Sequence, residues 1–271
     1  ASSSAQGLVP DANIVLGGSG ASRTVTVTPV SNQNGSATIT LTVSDGTASS
    51  TDTFVLTVNA VNDAPTISDV SSLSTNEDTA TSALAVTLGD ADADDLTLSA
   101  SSSTQGLVPD ANIVLGGSGA SRTVTVTPAS NQSGSATITL TVSDGTASST
   151  DTFVLTVNAV NDAPTISDVS SLSTNEDAAT SALAVTLGDA DADDLTLSAS
   201  SSAQGLVPDA NIVLGGSGAN RTVTVTPASN QNGSATITLT VSDGTASSTD
   251  TFVLTVNAVN DAPTISDVSS L

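Results

Sequence analysis

Apolar and polar residues alternate along most of this chain, and β-branched side chains dominate both sets. At 136–142 the run Ala-Thr-Ile-Thr-Leu-Thr-Val places Ala136, Ile138, Leu140 and Val142 on one face and threonines on the other. That period of two predicts a half-buried strand, and no segment keeps a helical period. Within residues 64–162 the same reading gives seven strands: 66–74, a weak one, then 84–88, 96–100, 112–115, 122–127, 136–142 and 152–157. Phe153, Leu155 and Val157 face one way in the last, and Gly-Gly-Ser-Gly after Leu115 reads as a turn. Seven short strands with turn signals between them predict an all-β fold: a seven-strand β-sandwich of immunoglobulin or cadherin-like type.

The pattern recurs every 99 residues, and Val-Asn-Asp-Ala-Pro marks each period at 61–65, 160–164 and 259–263. Residues 1–99 and 100–198 differ only at Ala5/Thr104, Val30/Ala129, Asn34/Ser133 and Thr79/Ala178. A period of domain size predicts tandem independent sandwiches in a linear array and not a solenoid. Proline lacks a ladder donor and restricts the residue before it, so a strand should stop ahead of each Ala-Pro. The boundaries are therefore expected between Asp63 and Ala64, Asp162 and Ala163, and Asp261 and Ala262. On that division 1–63 is the C-terminal part of one repeat, 64–162 and 163–261 are whole repeats, and 262–271 is the first strand of the next.

Composition narrows the chemistry. The chain has no Cys and no His, and its only basic residues are Arg23, Arg122 and Arg221, so lysine is also absent. That removes disulfides, thiolate or imidazole metal sites, the usual nucleophile–base pairs and Schiff-base chemistry. Paired carboxylates are the remaining catalytic option, and an enzyme is not expected. A net charge of −24 opposes nucleic acid and anionic membrane surfaces as partners. No apolar run approaches the ~18 residues of a spanning helix.

Following the strands up and down places the acidic residues. The loop 90–95 (Asp-Ala-Asp-Ala-Asp-Asp) and the Ser-Asp-Gly turn at 143–145 fall at the end where the chain enters a repeat, beside Asn62 and Asp63. Glu77 and the loop 131–133 fall at the opposite end, roughly 25 Å away for a strand of ~8 residues. Six acids (Glu77, Asp78, Asp90, Asp92, Asp94, Asp95) thus gather at the ends of one repeat. Hard carboxylate and carbonyl oxygens are what Ca²⁺ takes, about 6–8 at a time. The alternative is a solvated surface that keeps a long array soluble. The run is not an EF-hand, because Asp95 and Ser101 stand where that loop needs Gly and Glu. Gly-Gly-Ser-Gly-Ala-Ser at 17–22 reads as a plain glycine turn, since Ser22 replaces the Asp of the glycine-rich calcium repeat.

Val-Asn-Asp-Ala-Pro after a last strand, Asn-Glu-Asp after a first, Asp-x-Asp after a second and Ser-Asp-Gly before the last together resemble the cadherin-like tandem domains of giant bacterial surface proteins. The resemblance covers the whole chain. It implies an exported, adhesin-type stalk with calcium between domains, held by a Glu of the upper domain, the Asn-Asp linker and the Asp-x-Asp loop of the lower. The matching residues are Glu77, Asn161, Asp162, Asp189, Asp191 and Asp193 at the middle junction. At the junction before it they are Asn62, Asp63, Asp90, Asp92 and Asp94, and at the one after it Glu176, Asn260 and Asp261. Ala159 and Ala163 flank the linker where the family has Asp and Asn, which implies one or two ions per junction. The expected function is a calcium-stiffened structural spacer, extracellular or on the cell surface, whose partners are its neighbouring repeats. Two alternatives stay open: a subunit that self-associates into an extracellular fibre, and a carbohydrate- or protein-binding module. The second suits the composition less, because sugar and protein recognition favour aromatics and the chain has three Phe.

Overall fold

The computed structural model describes residues 1–267. The chain forms two compact units, Ala1–Ala159 and Val160–Leu271. Among the described residues no helix is long and apolar enough to cross a membrane.

In the first unit, residues 2–58 form β1 (Ser2–Ser3), β2 (Ile14–Ser19), β3 (Ser22–Val27), β4 (Gly35–Ser44) and β5 (Ser49–Val58). They pair as a β1-β4-β5 sheet and a β2-β3 hairpin. Then come β6 (Thr66–Ile67), β7 (Leu73–Asn76), β8 (Leu84–Gly89), β9 (Thr97–Ser102), β10 (Ile113–Ser118), β11 (Ser121–Val126), β12 (Gly134–Ser143) and β13 (Ser148–Asn158). These make two four-stranded sheets, ordered β10-β11-β8-β6 and β7-β13-β12-β9. All neighbours are antiparallel except β7 and β13, which run parallel from Leu73↔Leu155 to Asn76↔Asn158.

The expected first strand at 66–74 is split in two, one piece in each sheet. The reason is in the spacing: Ile67, Val70 and Leu73 all pack on the core, three residues apart, and a continuous strand would turn the middle one outward. The chain crosses between sheets at 68–72, where the amide of Val70 donates to Asp151 Oδ2 at 2.8 Å. A second departure lies at 112–118. Residues Asp110–Asn112 are a 3-10 turn, and β10 runs on through Gly116 and Gly117 to Ser118, so the reversal falls at Gly119 and Ala120. Gly117 has φ +79°, and a Cβ there would meet the Ser121 carbonyl oxygen, which only glycine avoids.

The core is the inward rows of both sheets: Val86, Leu88, Val124, Val126, Ile138, Leu140, Val142, Phe153 and Leu155 are all buried, closed at one end by Leu107 and Val108. Burying side chains of this kind contributes roughly 1.5–3 kcal/mol each. Thr81 is buried although polar. Its amide donates to the Val126 carbonyl and its Oγ1 accepts from the Val126 amide at 3.0 Å, so the loop before β8 ties off the end of β11.

The second unit repeats this sandwich as β14 (Thr165–Ile166), β15 (Leu172–Asn175), β16 (Leu183–Gly188), β17 (Thr196–Ser201), β18 (Ile212–Ser217), β19 (Asn220–Val225), β20 (Gly233–Ser242) and β21 (Ser247–Asn257). Its sheets are β14-β16-β19-β18 and β15-β21-β20-β17, with β15 parallel to β21. Residues 262–267 carry no strand, and the remainder of the strand expected at 262–271 lies outside the described residues.

Candidate metal centre

The loop between β8 and β9 is folded by its own backbone. Asp90 Oδ1 accepts from the amides of Asp92 (2.8 Å) and Asp94 (3.3 Å). Ala93 takes φ +63°, a left-handed conformation that costs a non-glycine residue about 1–2 kcal/mol. The turn brings a carboxylate oxygen of Asp90, Asp92 and Asp94 within 4.8 Å of one another. In the second unit Asp189, Asp191 and Asp193 converge in the same way, with Ala192 at φ +62°. Like charges held this close repel unless a proton or a cation lies among them.

The linker residues join each cluster. The Asp63 amide donates to Asp92 Oδ2 at 2.7 Å, and Asn62 Nδ2 donates to Asp144 Oδ2 at 2.9 Å. In the second unit the Asp162 amide reaches Asp191 Oδ2 at 2.7 Å and Asn161 Nδ2 reaches Asp243 Oδ2 at 3.0 Å. Asn260 Nδ2 bonds the Asp261 carbonyl beside it. Asp144 and Asp243 were missing from the sequence-derived set. Strand polarity puts the Ser-Asp-Gly turn at this end, and the fold ties it to the Asp-x-Asp loop through the adjacent linker residues Asn62 and Asp63. The second oxygens of Asp144 and Asp243 are engaged too: Oδ1 of each accepts two amides of its own turn.

Electrostatics divides these acids. Burial raises the Asp94 carboxyl above the ordinary range, and the negative charges of Asp90, Asp92, Asp144 and Asp95 push it the same way. Asp193 is raised for the same reasons, by burial first and then by Asp189, Asp191, Asp243 and Asp194. Asp144 is lowered, first by the Ala147 amide, then by Asn62 and the Thr146 amide. Asp243 is lowered by Ala246, Asn161 and Thr245. One acid of each cluster therefore resists its charge while its neighbour is held ionised.

A hard cation fits this donor set. The Oδ2 atoms of Asp90 and Asp189 are buried and accept no hydrogen bond in the structure, so each cluster keeps an oxygen with no proton donor on it. The nearby Arg122 guanidinium is committed to the carbonyls of Gly119 and Leu96. Oxygen-only donors with several carboxylates suit Ca²⁺, or less readily Mg²⁺, over transition metals.

Glu77 and Glu176 lie elsewhere in their repeats. The Glu77 amide donates to the Asn158 carbonyl, at the far end of β13 from the Asp144 turn. An 11-residue strand separates the two ends by roughly 30 Å. Both glutamates are buried, at 5% and 8% exposure. Glu176 Oε1 accepts from the Val259 amide at 2.6 Å, which places it next to Asn260 and Asp261.

Two tandem sandwiches of this kind define the class: immunoglobulin-like domains in series. The family model of the bacterial Ig domain matches residues 62–158 and again 161–257, more than half of the chain, which therefore belongs to that family. No curated protein matches. Solved structures resemble it at low identity. Protocadherin gamma B2 extracellular cadherin domains 1–5 align at 18% identity with TM-score 0.44, over 84% of this chain and 46% of that one. The human desmocollin-1 ectodomain aligns at 12% identity with TM-score 0.44, over 88% and 50%. The H294Q form of an endo-fucoidan hydrolase of glycoside hydrolase family 107 aligns at 19% identity with TM-score 0.33, over 92% and 38%. The chain thus spans half or less of the length of these three.

Proposed function

We propose that the chain is a structural spacer, a run of Ig-like modules at 64–162 and 163–261 in a secreted or surface-displayed protein, stiffened by Ca²⁺ beside its linkers. Asp90, Asp92 and Asp94 would hold the ion in the first unit, with Asp63 and Asp144 at the rim. Asp189, Asp191 and Asp193 would do so in the second, with Asp162 and Asp243. Bound calcium would supply neutralising charge and nothing else. The chain's residues orient the carboxylates, and the linker amides and Asn side chains couple them to the chain between modules. The observation that carries this reading is the pair of buried, hydrogen-bond-free carboxylate oxygens, Asp90 Oδ2 and Asp189 Oδ2, each in a three-carboxylate cluster. A solvated acidic surface would turn such atoms to water. No catalytic role is assigned: the carboxylates meet in one cluster and do not face each other across a cleft, as glycoside hydrolysis needs.

The test uses the full 271-residue chain. Titration with Ca²⁺ should give binding heat, raise the melting temperature and narrow the length distribution seen by small-angle scattering. Mg²⁺ should do less, because it demands tighter octahedral geometry. Asp90→Asn with Asp92→Asn, and Asp189→Asn with Asp191→Asn, should remove the response. Equal extension in chelator and in millimolar Ca²⁺, with no heat, would sink the proposal.

A further inference from the structure

The turn that joins β3 to β4, β11 to β12 and β19 to β20 takes no part in the metal centre. It reads Ser-Asn-Gln-Asn-Gly-Ser at 31–36 and 229–234, and Ser-Asn-Gln-Ser-Gly-Ser at 130–135. Where Asn34 and Asn232 stand in two copies, the other has Ser133, yet one feature survives the exchange. Each turn holds an asparagine with a serine two residues on: Asn34 and Ser36, Asn131 and Ser133, Asn232 and Ser234. Asn-x-Ser/Thr is the acceptor pattern for a sugar on the asparagine amide. Backbone geometry explains only some of these asparagines. Asn32, Asn131 and Asn230 sit at φ +54° to +56°, where asparagine is favoured. Asn34 and Asn232 are not in that conformation.

Side-chain bonding separates the asparagines in the same way. Asn13, Asn62 and Asn158 and their counterparts Asn211, Asn161 and Asn257 donate from Nδ2 to fixed oxygens. None of these six has Ser or Thr two residues on. Asn34, Asn131 and Asn232 are exposed, and their Nδ2 atoms donate no hydrogen bond in the structure. They also stand outside every ladder, since β4 begins at Gly35, β12 at Gly134 and β20 at Gly233. Asn220 gives the contrast. It too is exposed and precedes a threonine by two, Thr222, but it lies in β19 and pairs with Ser217. A transferase can draw a free turn into its own site, whereas a paired strand must first give up its backbone bonds.

The turn lies where the chain leaves a module. The Asn131 amide donates to Asp78 Oδ1 at 3.2 Å, and the Glu77 amide beside it donates to the Asn158 carbonyl. At the first copy the linker itself is adjacent: Asn32, Gln33, Asn34, Ala60 and Val61 share the walls of a cleft of about 250 Å³.

We propose that this turn is an N-glycosylation site in each module, taking a sugar from a phosphate-activated glycosyl donor, and that the glycan shields the linker beside it. In the transfer, Nδ2 of Asn34, Asn131 or Asn232 bonds to C1 of the sugar. The bond from C1 to the donor's phosphate oxygen breaks, and the phosphate leaves with the electron pair. The Nδ2 proton passes to a base of the transferase, and nothing is oxidised or reduced. Calcium has no part in this chemistry, so the site stands or falls apart from the spacer reading.

The test weighs the full chain, purified from the cells that make it, by intact mass spectrometry and sequences its glycopeptides. The mass should exceed the 26.2 kDa of the polypeptide by sugar carried on Asn34, Asn131 and Asn232. One sugar per site would identify a nucleotide-activated donor, and a fixed oligosaccharide a lipid-linked one. Ser36→Ala, Ser133→Ala and Ser234→Ala, combined and expressed in the same cells, leave every asparagine in place and should clear all sugar from the turns. A bare polypeptide mass, or sugar on Asn220 alone, overturns the site. So does sugar that persists on the three asparagines once the serines are gone. Protease cleavage within 59–63 should be slower in the glycosylated chain than in the triple variant by roughly two-fold or more, because exposed connecting segments are where nicking concentrates. Equal rates overturn the shielding.

Discussion

The first unit contains the same strands twice: β12 and β13 pack with β6, β7 and β8, and β4 and β5 are their copies within residues 1–58. Ala37 and Ile39 on β4 are buried as deeply as Ala136 and Ile138 on β12, because Leu8, Val9 and Ile14 close that end of the first core as Leu107, Val108 and Ile113 close that end of the second. Toward the other end the two part. Val43 is 71% exposed where Val142 is fully buried, and Phe54 is 38% exposed where Phe153 is 2%. The sequences are identical there. What differs is the segment 64–99: β6, β7 and β8 lay Ile67, Leu73, Val86 and Leu88 over the second core, and residues 1–58 have no counterpart of them. Alternation thus fixes which side of a strand is apolar, and burial depends on whether another sheet arrives to cover it.

The largest expected effect on that comparison is at the phenylalanines. Phe153→Ala and Phe252→Ala should each destabilise their sandwich by about 3–5 kcal/mol, through lost transfer energy and a cavity. Phe54→Ala should cost about 1 kcal/mol, since its ring already meets water. Denaturant melts of the three variants, followed by hydrogen exchange on β5, β13 and β21, measure both values. Equal losses at Phe54 and Phe153 would mean that a partner covers the first region in solution.

A smaller effect is expected at Thr81 and Thr180, which have no counterpart in residues 1–58. Thr81→Val keeps the shape but removes the acceptor for the buried Val126 amide, for a loss of roughly 1–3 kcal/mol. Exchange at the Val126 amide should accelerate in the variant, while that of Val27, at the same position on β3, stays unchanged. No change at Val126 would deny Thr81 its role in tying β11 to the loop before β8.

The smallest effect separates the acids by the sign of their pH dependence. Asp94 and Asp193 are raised in the folded state by burial and neighbouring carboxylates, so their charges are destabilising near neutrality. That penalty fades as the pH falls through the raised value toward the ordinary one. Asp144 and Asp45 are lowered by turn amides, and their stabilisation, present above the ordinary value, is lost as the pH falls through the lowered one. Carbon-detected NMR titration without metal should find Asp94 protonating before Asp144. With Ca²⁺ present the Asp94 midpoint should move down while that of Asp45, outside any cluster, stays put. An Asp94 midpoint at or below that of Asp144 would refute the assignment.

Much of this was legible in the chain itself. The period-two rows at 136–142 and 152–157 locate β12 and β13 and their buried faces, because a strand's side chains must alternate whatever it packs against. The repeat of 99 residues gave tandem modules, and strand polarity alone brought Asn62, Asp63 and the loop 90–95 to one end and Glu77 to the other. Three things needed the fold. The crossing at 68–72 depends on Val70 meeting a core between two sheets, a contact no local pattern encodes. The link of Asp144 to the Asp90 loop runs through the linker, where Asn62 bonds Asp144, 82 positions away, and the Asp63 amide bonds Asp92. The parallel pairing of β7 with β13 is likewise invisible locally, since an edge strand reads the same on either side. Sequence periodicity reports the chain's own geometry; which strands become neighbours is settled by which apolar faces can cover one another.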